Sequence, residues 1–203
     1  MVKSSEKPRP YAELRGGDAY YINDTSRCSV GFAVTDGTRQ GFVTVEPLRR
    51  PRRHDRRARP LGPGRLPGLV LPRRRLRLGR HRGRLDGHPV RQGLRRRRRD
   101  RRLAPPRPPV GSSVCRSGST TGWHCGTIEQ HDVTVQYGQG DVHGLTRTTV
   151  CAEPGDSGGP YITGDQAQGV TSGGSGNCTT GGTTFYQPVE PVLEAYGLTL
   201  VTG

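Results

Sequence analysis

Residues 155–160 read Gly-Asp-Ser-Gly-Gly-Pro and set one hydroxyl, that of Ser157, among residues with little side chain. Such a serine can attack a carbonyl carbon, provided that a base takes its proton and a carboxylate orients the base. The flanking glycines let the backbone turn tightly with no Cβ in the way. The stretch also fits Gly-x-Ser-x-Gly, the hydrolase nucleophile elbow, but that motif needs a helix directly after the serine. Gly158-Gly159-Pro160 is a poor helix start, so the elbow is set aside. The blander reading is a polar glycine-rich loop. Of the six histidines, His54, His81 and His88 lie in an arginine-rich block. His124 stands in Trp123-His124-Cys125, where a His–Cys pair is tempting. His131 and His143 have no catalytic context and are expected to be surface side chains.

The elements around the serine read as β-structure. Cys28–Thr35 and Gln40–Thr44 are short apolar runs separated by Asp36-Gly37, a hairpin signal. Beyond residue 110, "HDVTVQYG" alternates apolar and polar residues, and "TRTTVCAE", "QAQGVTSGG" and "TTFYQPV" are further strand candidates. One short helix is expected in "EPVLEAYGL", with Pro191 in its first turn and Val192, Leu193 and Tyr196 toward a core. The 203 residues include 31 Gly and 17 Pro and are only 30% hydrophobic, which argues against a helical bundle. No run of 18 apolar residues is present, and the N-terminal stretch lacks the apolar core of a secretory signal.

Charge divides the chain. The formal net charge is +15, but residues 45–109 alone hold 24 Arg against three Asp and one Glu. That block also holds 11 Pro and no aromatic ring, so it supplies neither the alternation of a strand nor the stripe of a helix. One reading is a basic arm that binds nucleic acid, though it lacks interleaved aromatics for base stacking. Another is a slipped reading frame. All ten residue types in the block have codons beginning with G or C. A GC-rich gene read one base out of frame would give that composition.

Five cysteines, Cys28, Cys115, Cys125, Cys151 and Cys178, form no Cys-x-x-Cys pair, so a metal site is not expected. Scattered through Gly/Ser/Thr-rich sequence, they suggest a disulfide framework and an exported protein.

Residues 11–44 and 110–203 resemble the streptogrisins, a family of secreted chymotrypsin-like serine proteases. The resemblance rests on "RGGDAYYIND", "RCSVGFAVTDGTRQGFVT", "VCRSGSTTGWHCGTI", "RTTVCAEPGDSGGPYI" and "QAQGVTSGGSGNCTTGGTTFYQPVEPVLEAYGLTLVTG". It implies an all-β, trypsin-like double antiparallel barrel, with the N-terminal barrel disrupted by the Arg/Pro-rich segment. Residues 1–14 would be a pro-region remnant and 15–44 the start of the first barrel. Residues 45–109 would be the frame-shifted block, and 110–203 the second barrel with the nucleophile. After "GFVT" the family carries Ala-Gly-His-Cys-Gly, whereas this chain has "VEPLRR". Pro47-Leu48-Arg49, moved one base, permits His-Cys-Gly. Arg75–Gly79, moved the same way, permits the family's Asp-Tyr-Ala-Trp-Val run.

The resemblance also assigns roles. Ser157 would be the nucleophile, and the N–H groups of Gly155 and Ser157 the oxyanion hole. Asp156 would be a buried carboxylate paired with the mature N-terminus or another cation. Ser172, Gly173 and Gly174 would form the substrate edge. Cys115 would pair with Cys125, enclosing His124 in a loop, and Cys151 with Cys178. Cys28 pairs in the family with the cysteine beside the catalytic histidine, a position taken here by Leu48. Thr148-Thr149-Val150 holds no acid, so a pocket for large apolar P1 side chains is expected, with Glu153 facing solvent. The implied protein is a secreted, cofactor-free monomer that acts on protein or peptide substrates without specific nucleic-acid or membrane binding. As written it would be inactive for want of its His and Asp.

Overall fold

The computed structural model describes residues 15–22, 26–45, 107–138 and 140–201. Expectations for residues 1–14, Leu48, 75–79, His54, His81 and His88 lie outside the described residues. Among the described residues no helix is long and apolar enough to cross a membrane.

Four short strands come from the N-terminal part: β1 (Ala19–Ile22), β2 (Ser26–Ser29), β3 (Phe32–Thr35) and β4 (Gln40–Val43). The apolar run Cys28–Thr35 is therefore two strands. Val30 and Gly31 break it because their N–H groups turn to Asp18 O and Val43 O. β3 and β4 pair antiparallel, with Thr35 opposite Gln40. The Asp36-Gly37 signal is realised as a four-residue loop. Asp36 Oδ1 accepts from Thr38 N and Arg39 N at 3.0 and 2.7 Å, an Asx turn, and Gly37 adopts φ +93°. These backbone bonds and the Arg39 side chain hold the Asp36 carboxyl well below the usual range.

The C-terminal part supplies β5 (Ser113–Gly118), β6 (Gly122–Tyr137), β7 (Gly140–Thr148), β8 (Pro160–Thr163), β9 (Gln166–Asn177) and β10 (Gly181–Pro188). These six close a barrel in the order β10-β7-β6-β5-β8-β9. Closure removes the exposed edges that an open sheet would leave. Val114, Ile128, Val150, Tyr161 and Tyr186 fill the barrel, and the two tyrosine rings pack 4.8 Å apart. At the centre Thr184 Oγ1 donates to Val150 O and meets the hydroxyls of Thr148 and Tyr161.

The two parts interlock. Helix α1 (Glu190–Tyr196) follows β10 and ends at Gly197, whose φ of +61° is a left-handed cap. Val192, Leu193 and Tyr196 face a core, as the sequence predicts, but most of that core comes from the other end of the chain. It comprises Val34, Val43, Val45, Val170 and Leu198, with Phe32 and Leu200 at its rim. β11 (Thr199–Leu200) then pairs with β3, so the last strand completes an N-terminal sheet of order β11-β3-β4. Val45 and residues 107–109, grouped by composition with the arginine-rich block, pack in this framework. Val45 is buried in the core beside α1, and Arg107 holds the Asp132 carboxylate with Nη1 2.9–3.0 Å from both oxygens.

Candidate active site

The segment from Val150 to Pro160 links the ends of β7 and β8 at the junction of the two parts. It has a covalent anchor in Cys151, which bonds Cys178 directly after β9; the other disulfide, Cys115–Cys125, joins β5 to β6. Both pairs match the expected connectivity, and Cys28 is buried.

Asp156 sits at the centre of the segment with no exposed side-chain surface. Its Oδ1 accepts from Thr120 N at 2.9 Å and Thr121 N at 3.1 Å. Its Oδ2 accepts from Thr121 Oγ1 at 2.7 Å and Glu153 N at 2.9 Å. The cation foreseen for it is Arg116, equally buried, whose Nη1 lies 3.2 Å from Oδ2. Arg116 is held in turn by Cys151 O and Thr121 Oγ1. Burial alone raises the Asp156 pKa. The hydrogen bonds from Glu153 N, Thr121 Oγ1 and Thr120 N, with the Arg116 charge, outweigh that and hold it below the ordinary carboxylate value. Glu153 is also tied in rather than facing solvent, because its carboxylate accepts from Cys178 N at 3.1 Å.

The N-terminal strands fix the loop from the other side. Ser29 N donates to Ser157 O at 2.8 Å, and Ser29 Oγ donates to Gly155 O at 2.8 Å. Thr44 Oγ1 donates to Ser29 O at 2.9 Å. Gly158 has to be glycine here: its φ is +86°, and a Cβ would lie 2.1 Å from Thr44 Oγ1. Along the loop the N–H groups of Asp156, Gly158 and Gly159 donate to Glu153 O, Thr171 O and Asp156 O. Those of Gly155 and Ser157 find no acceptor among the described residues, and neither does the Ser157 hydroxyl find a partner there. Ser157 is half-buried, so its hydroxyl is neither sealed in nor fully exposed.

Ser172, Gly173 and Gly174 lie on β9, one strand pairing away from this loop, where Thr171 N bonds Gly159 O. Tyr137, at the end of β6, braces them. Its hydroxyl is 3.2 Å from Ser172 Oγ, and its ring lies where a Cβ on Gly173 would fall. Burial pushes the Tyr137 phenol up, while the Ser172 hydrogen bond opposes the shift.

Each described histidine is occupied elsewhere. His124 Nε2 bonds Thr121 O at 3.0 Å. His131, expected at the surface, is instead half-buried, with Nδ1 on Thr146 Oγ1 and Nε2 on Pro108 O. His143 is exposed and bonds Thr134. His124 also lies close to the sulfurs of Cys151 and Cys178, but these are joined to each other and offer no thiolate to a metal. Thr148 and Val150 are buried in the barrel, while Thr149 is exposed and its hydroxyl accepts from Thr127 N.

Arg116, Thr120, Thr121, Ser29 and Thr44 are absent from the sequence-derived site. Arg116 had a legible signal, since it falls two residues after the buried Val114 on a strand and so shares its inward face.

A closed six-stranded antiparallel barrel, joined through a Gly-Asp-Ser-Gly-Gly-Pro loop to a partner sheet, defines the chymotrypsin-like class of serine protease folds. The comparisons give the same class. The Trypsin family model matches residues 92–195, and the chain belongs to that family. It is 51% identical over 204 residues to streptogrisin-C of Streptomyces griseus, covering 100% of this chain and 44% of that protein. It is 59% identical over 93 residues to streptogrisin-A of the same organism, covering 45% of this chain and 31% of that protein. The chain thus spans less than half the length of these relatives. Among solved structures, Thermobifida fusca protease A superposes with a TM-score of 0.67 at 40% identity, covering 95% of this chain and 100% of that one. The chymotrypsin of Cellulomonas bogoriensis gives 0.62 at 45% identity, covering 94% and 99%. Nothing among the described residues favours the nucleic-acid alternative, whose arginine-rich block lies almost wholly outside them.

Proposed function

We propose that the chain derives from a secreted serine endopeptidase, with Ser157 as nucleophile and the N–H groups of Gly155 and Ser157 as the oxyanion hole. The observation that carries this reading is the pattern of donors in one short loop. Within residues 155–159 three N–H groups are held, while the two that flank Asp156 are left to meet a substrate oxygen. In the reaction of a chain with its frame restored, the family's histidine takes the Ser157 proton as Oγ bonds to the scissile carbonyl carbon, and the carbonyl oxygen takes negative charge between the two N–H groups. Collapse expels the amine, which leaves with that proton, to give an acyl-enzyme that water then hydrolyses. Donors already aimed at that oxygen need no reorganisation as charge develops. Ser172–Gly174 would pair with the extended substrate backbone, and the P1 side chain would enter beside Ala152–Pro154. An acid-free Thr148–Val150 favours large apolar P1 residues such as Phe, Tyr or Leu, because an unpaired substrate cation there would cost several kcal/mol.

We infer also that the chain as written does not cleave peptides detectably. The described histidines are engaged elsewhere, and the family's His and Asp positions fall in the block that reads as frame-shifted. The test is a P1 series of peptide anilides on this chain and on one whose codons for residues 45–109 are read one base over. The restored chain should cleave after Phe and lose activity with Ser157→Ala. A higher kcat/KM for Arg than for Phe would overturn the pocket, and full activity of the Ser157→Ala variant would overturn the nucleophile.

A further inference from the structure

The N–H of Gly155 belongs to the peptide plane whose carbonyl is that of Pro154. A trans peptide holds its C=O and N–H on opposite sides, so whatever fixes one aims the other. Pro154 O accepts from Thr120 Oγ1 at 2.8 Å, and Thr120 Oγ1 in turn accepts from Arg27 Nη2 at 2.5 Å. Gly155 permits this approach. Its φ is +104°, and a Cβ would stand 2.3 Å from Thr120 Oγ1 and 3.0 Å from Arg27 Nε and Nη2. The same glycine makes the plane easy to turn over, since glycine occupies positive and negative φ with similar ease. Turning it would point a carbonyl where the N–H should be.

We propose that Thr120, braced by Arg27, is a positioning residue that holds the Pro154–Gly155 peptide with its N–H facing the substrate. The inference rests on the reading of Gly155 and Ser157 as the oxyanion hole. Arg27 comes from β2 and Thr120 from the turn between β5 and β6, so the brace forms only when the two parts of the chain are docked. Its hydrogen bonds run in one direction, from guanidinium to hydroxyl to carbonyl. The cation withdraws electron density through the hydroxyl, and the polarised amide becomes a stronger donor at Gly155. Thr120 N also holds Asp156 Oδ1, a main-chain bond that side-chain substitution leaves in place.

The experiment uses the full oxidised chain, labelled with 15N and 13C, and acetyl-Ala-Ala-Pro-Phe with a free carboxylate as the oxyanion probe. In the unsubstituted protein the Gly155 and Ser157 amide resonances should shift saturably as the peptide is added. Thr120→Val should displace the Pro154 carbonyl and Gly155 amide resonances without ligand and weaken the peptide about fivefold, the loss expected for one hydrogen bond. Thr120→Ser should restore both, which a purely steric role for the side chain would not require. Arg27→Gln, at an exposed position, should shift the same resonances less and serves as the second variant if Thr120→Val does not fold. If the peptide moves neither amide in the unsubstituted protein, the oxyanion-hole reading fails and the inference with it. If it moves both, and Thr120→Val binds equally well with its Pro154 carbonyl unshifted, the brace alone is overturned.

Discussion

Replacing Asp156 with Asn tests the loop at its most constrained point. The substitution changes no volume, yet no amide orientation fits. An NH2 in the Oδ1 position meets the N–H groups of Thr120 and Thr121, and one in the Oδ2 position meets Glu153 N and the Arg116 guanidinium. Two donors are then opposed whichever way the amide turns, and Arg116 is left buried without a counter-ion. Breaking one side of a fully buried pair costs roughly 3–5 kcal/mol. A domain of this size has about 5–15 kcal/mol in total. Urea unfolding of the oxidised protein, followed by circular dichroism, should show that loss as a lower midpoint with an unchanged slope. Arg116→Met removes the other partner, and the double-variant cycle should return a coupling of about 0.5–3 kcal/mol. A loss under about 1 kcal/mol for Asp156→Asn would refute the argument, because the measured effect would then fall below that of one ordinary unsatisfied buried group. The pH dependence carries an independent sign. The folded pKa of Asp156 is depressed, so its contribution is complete above the unfolded carboxylate pKa of about 3.9 and falls away as pH drops below that value through the folded one.

Three further outcomes follow from the geometry. Gly158→Ala should cost more than about 2 kcal/mol, since the new methyl meets Thr44 Oγ1 and Ser29 O in a left-handed conformation, whereas Gly138→Ala, with open space around it, should stay within about 0.5 kcal/mol; chemical denaturation compares them. Tyr161 should not ionise in the ordinary phenol range when absorbance is followed near 295 nm. Its burial raises the pKa against the hydrogen bonds to Thr184 and Thr148, and stability should fall as pH rises above about 10. Non-reducing peptide maps should contain Cys115–Cys125 and Cys151–Cys178, and removing the second bridge by a double Ser substitution should cost roughly 3 kcal/mol.

The second barrel was legible because its strands alternate and its turns are marked by glycine. "QAQGVTSGG" falls within β9, "HDVTVQYG" and "TTFYQPV" match β6 and β10 to within one residue, and "TRTTVCAE" is strand only as far as Thr148 in β7. What periodicity could not give is where a strand bends. β6 runs from Gly122 to Tyr137 with three register shifts against β7, and Asp132 adopts φ +56° there under the grip of Arg107. Nor could it give the partner of a strand remote in sequence. Nothing local to Thr199-Leu200 says that it pairs with Thr35 and Val34. In the site, Ser157 and its neighbours were legible as a motif, because Gly-Asp-Ser-Gly-Gly-Pro is contiguous in the sequence. The polar residues that hold them were not, since serine and threonine on strands usually face water. Ser29 and Thr44 are buried only because a second layer covers them.

That covering has a consequence for how the loop is built. Ser29 and Arg27 lie on β2, yet their partners are Ser157 O, Gly155 O and, through Thr120, Pro154 O, while Thr44, directly after β4, holds Ser29 O. Strands β2 to β4 are too short and too few to hold a core by themselves. They are held by α1, β11 and Val170 on one side and by the Val150–Pro160 loop on the other. The loop is held by them in return: Thr44 fixes Ser29, and Ser29 fixes both Gly155 and Ser157. Each part therefore satisfies polar groups that the other would leave buried without a partner, and an unpaired group of that kind costs about 1–3 kcal/mol. The geometry at Ser157 is thus a property of the docked pair of sheets, and the strands within residues 15–22 and 26–45 contribute to it although they contain none of the hexapeptide.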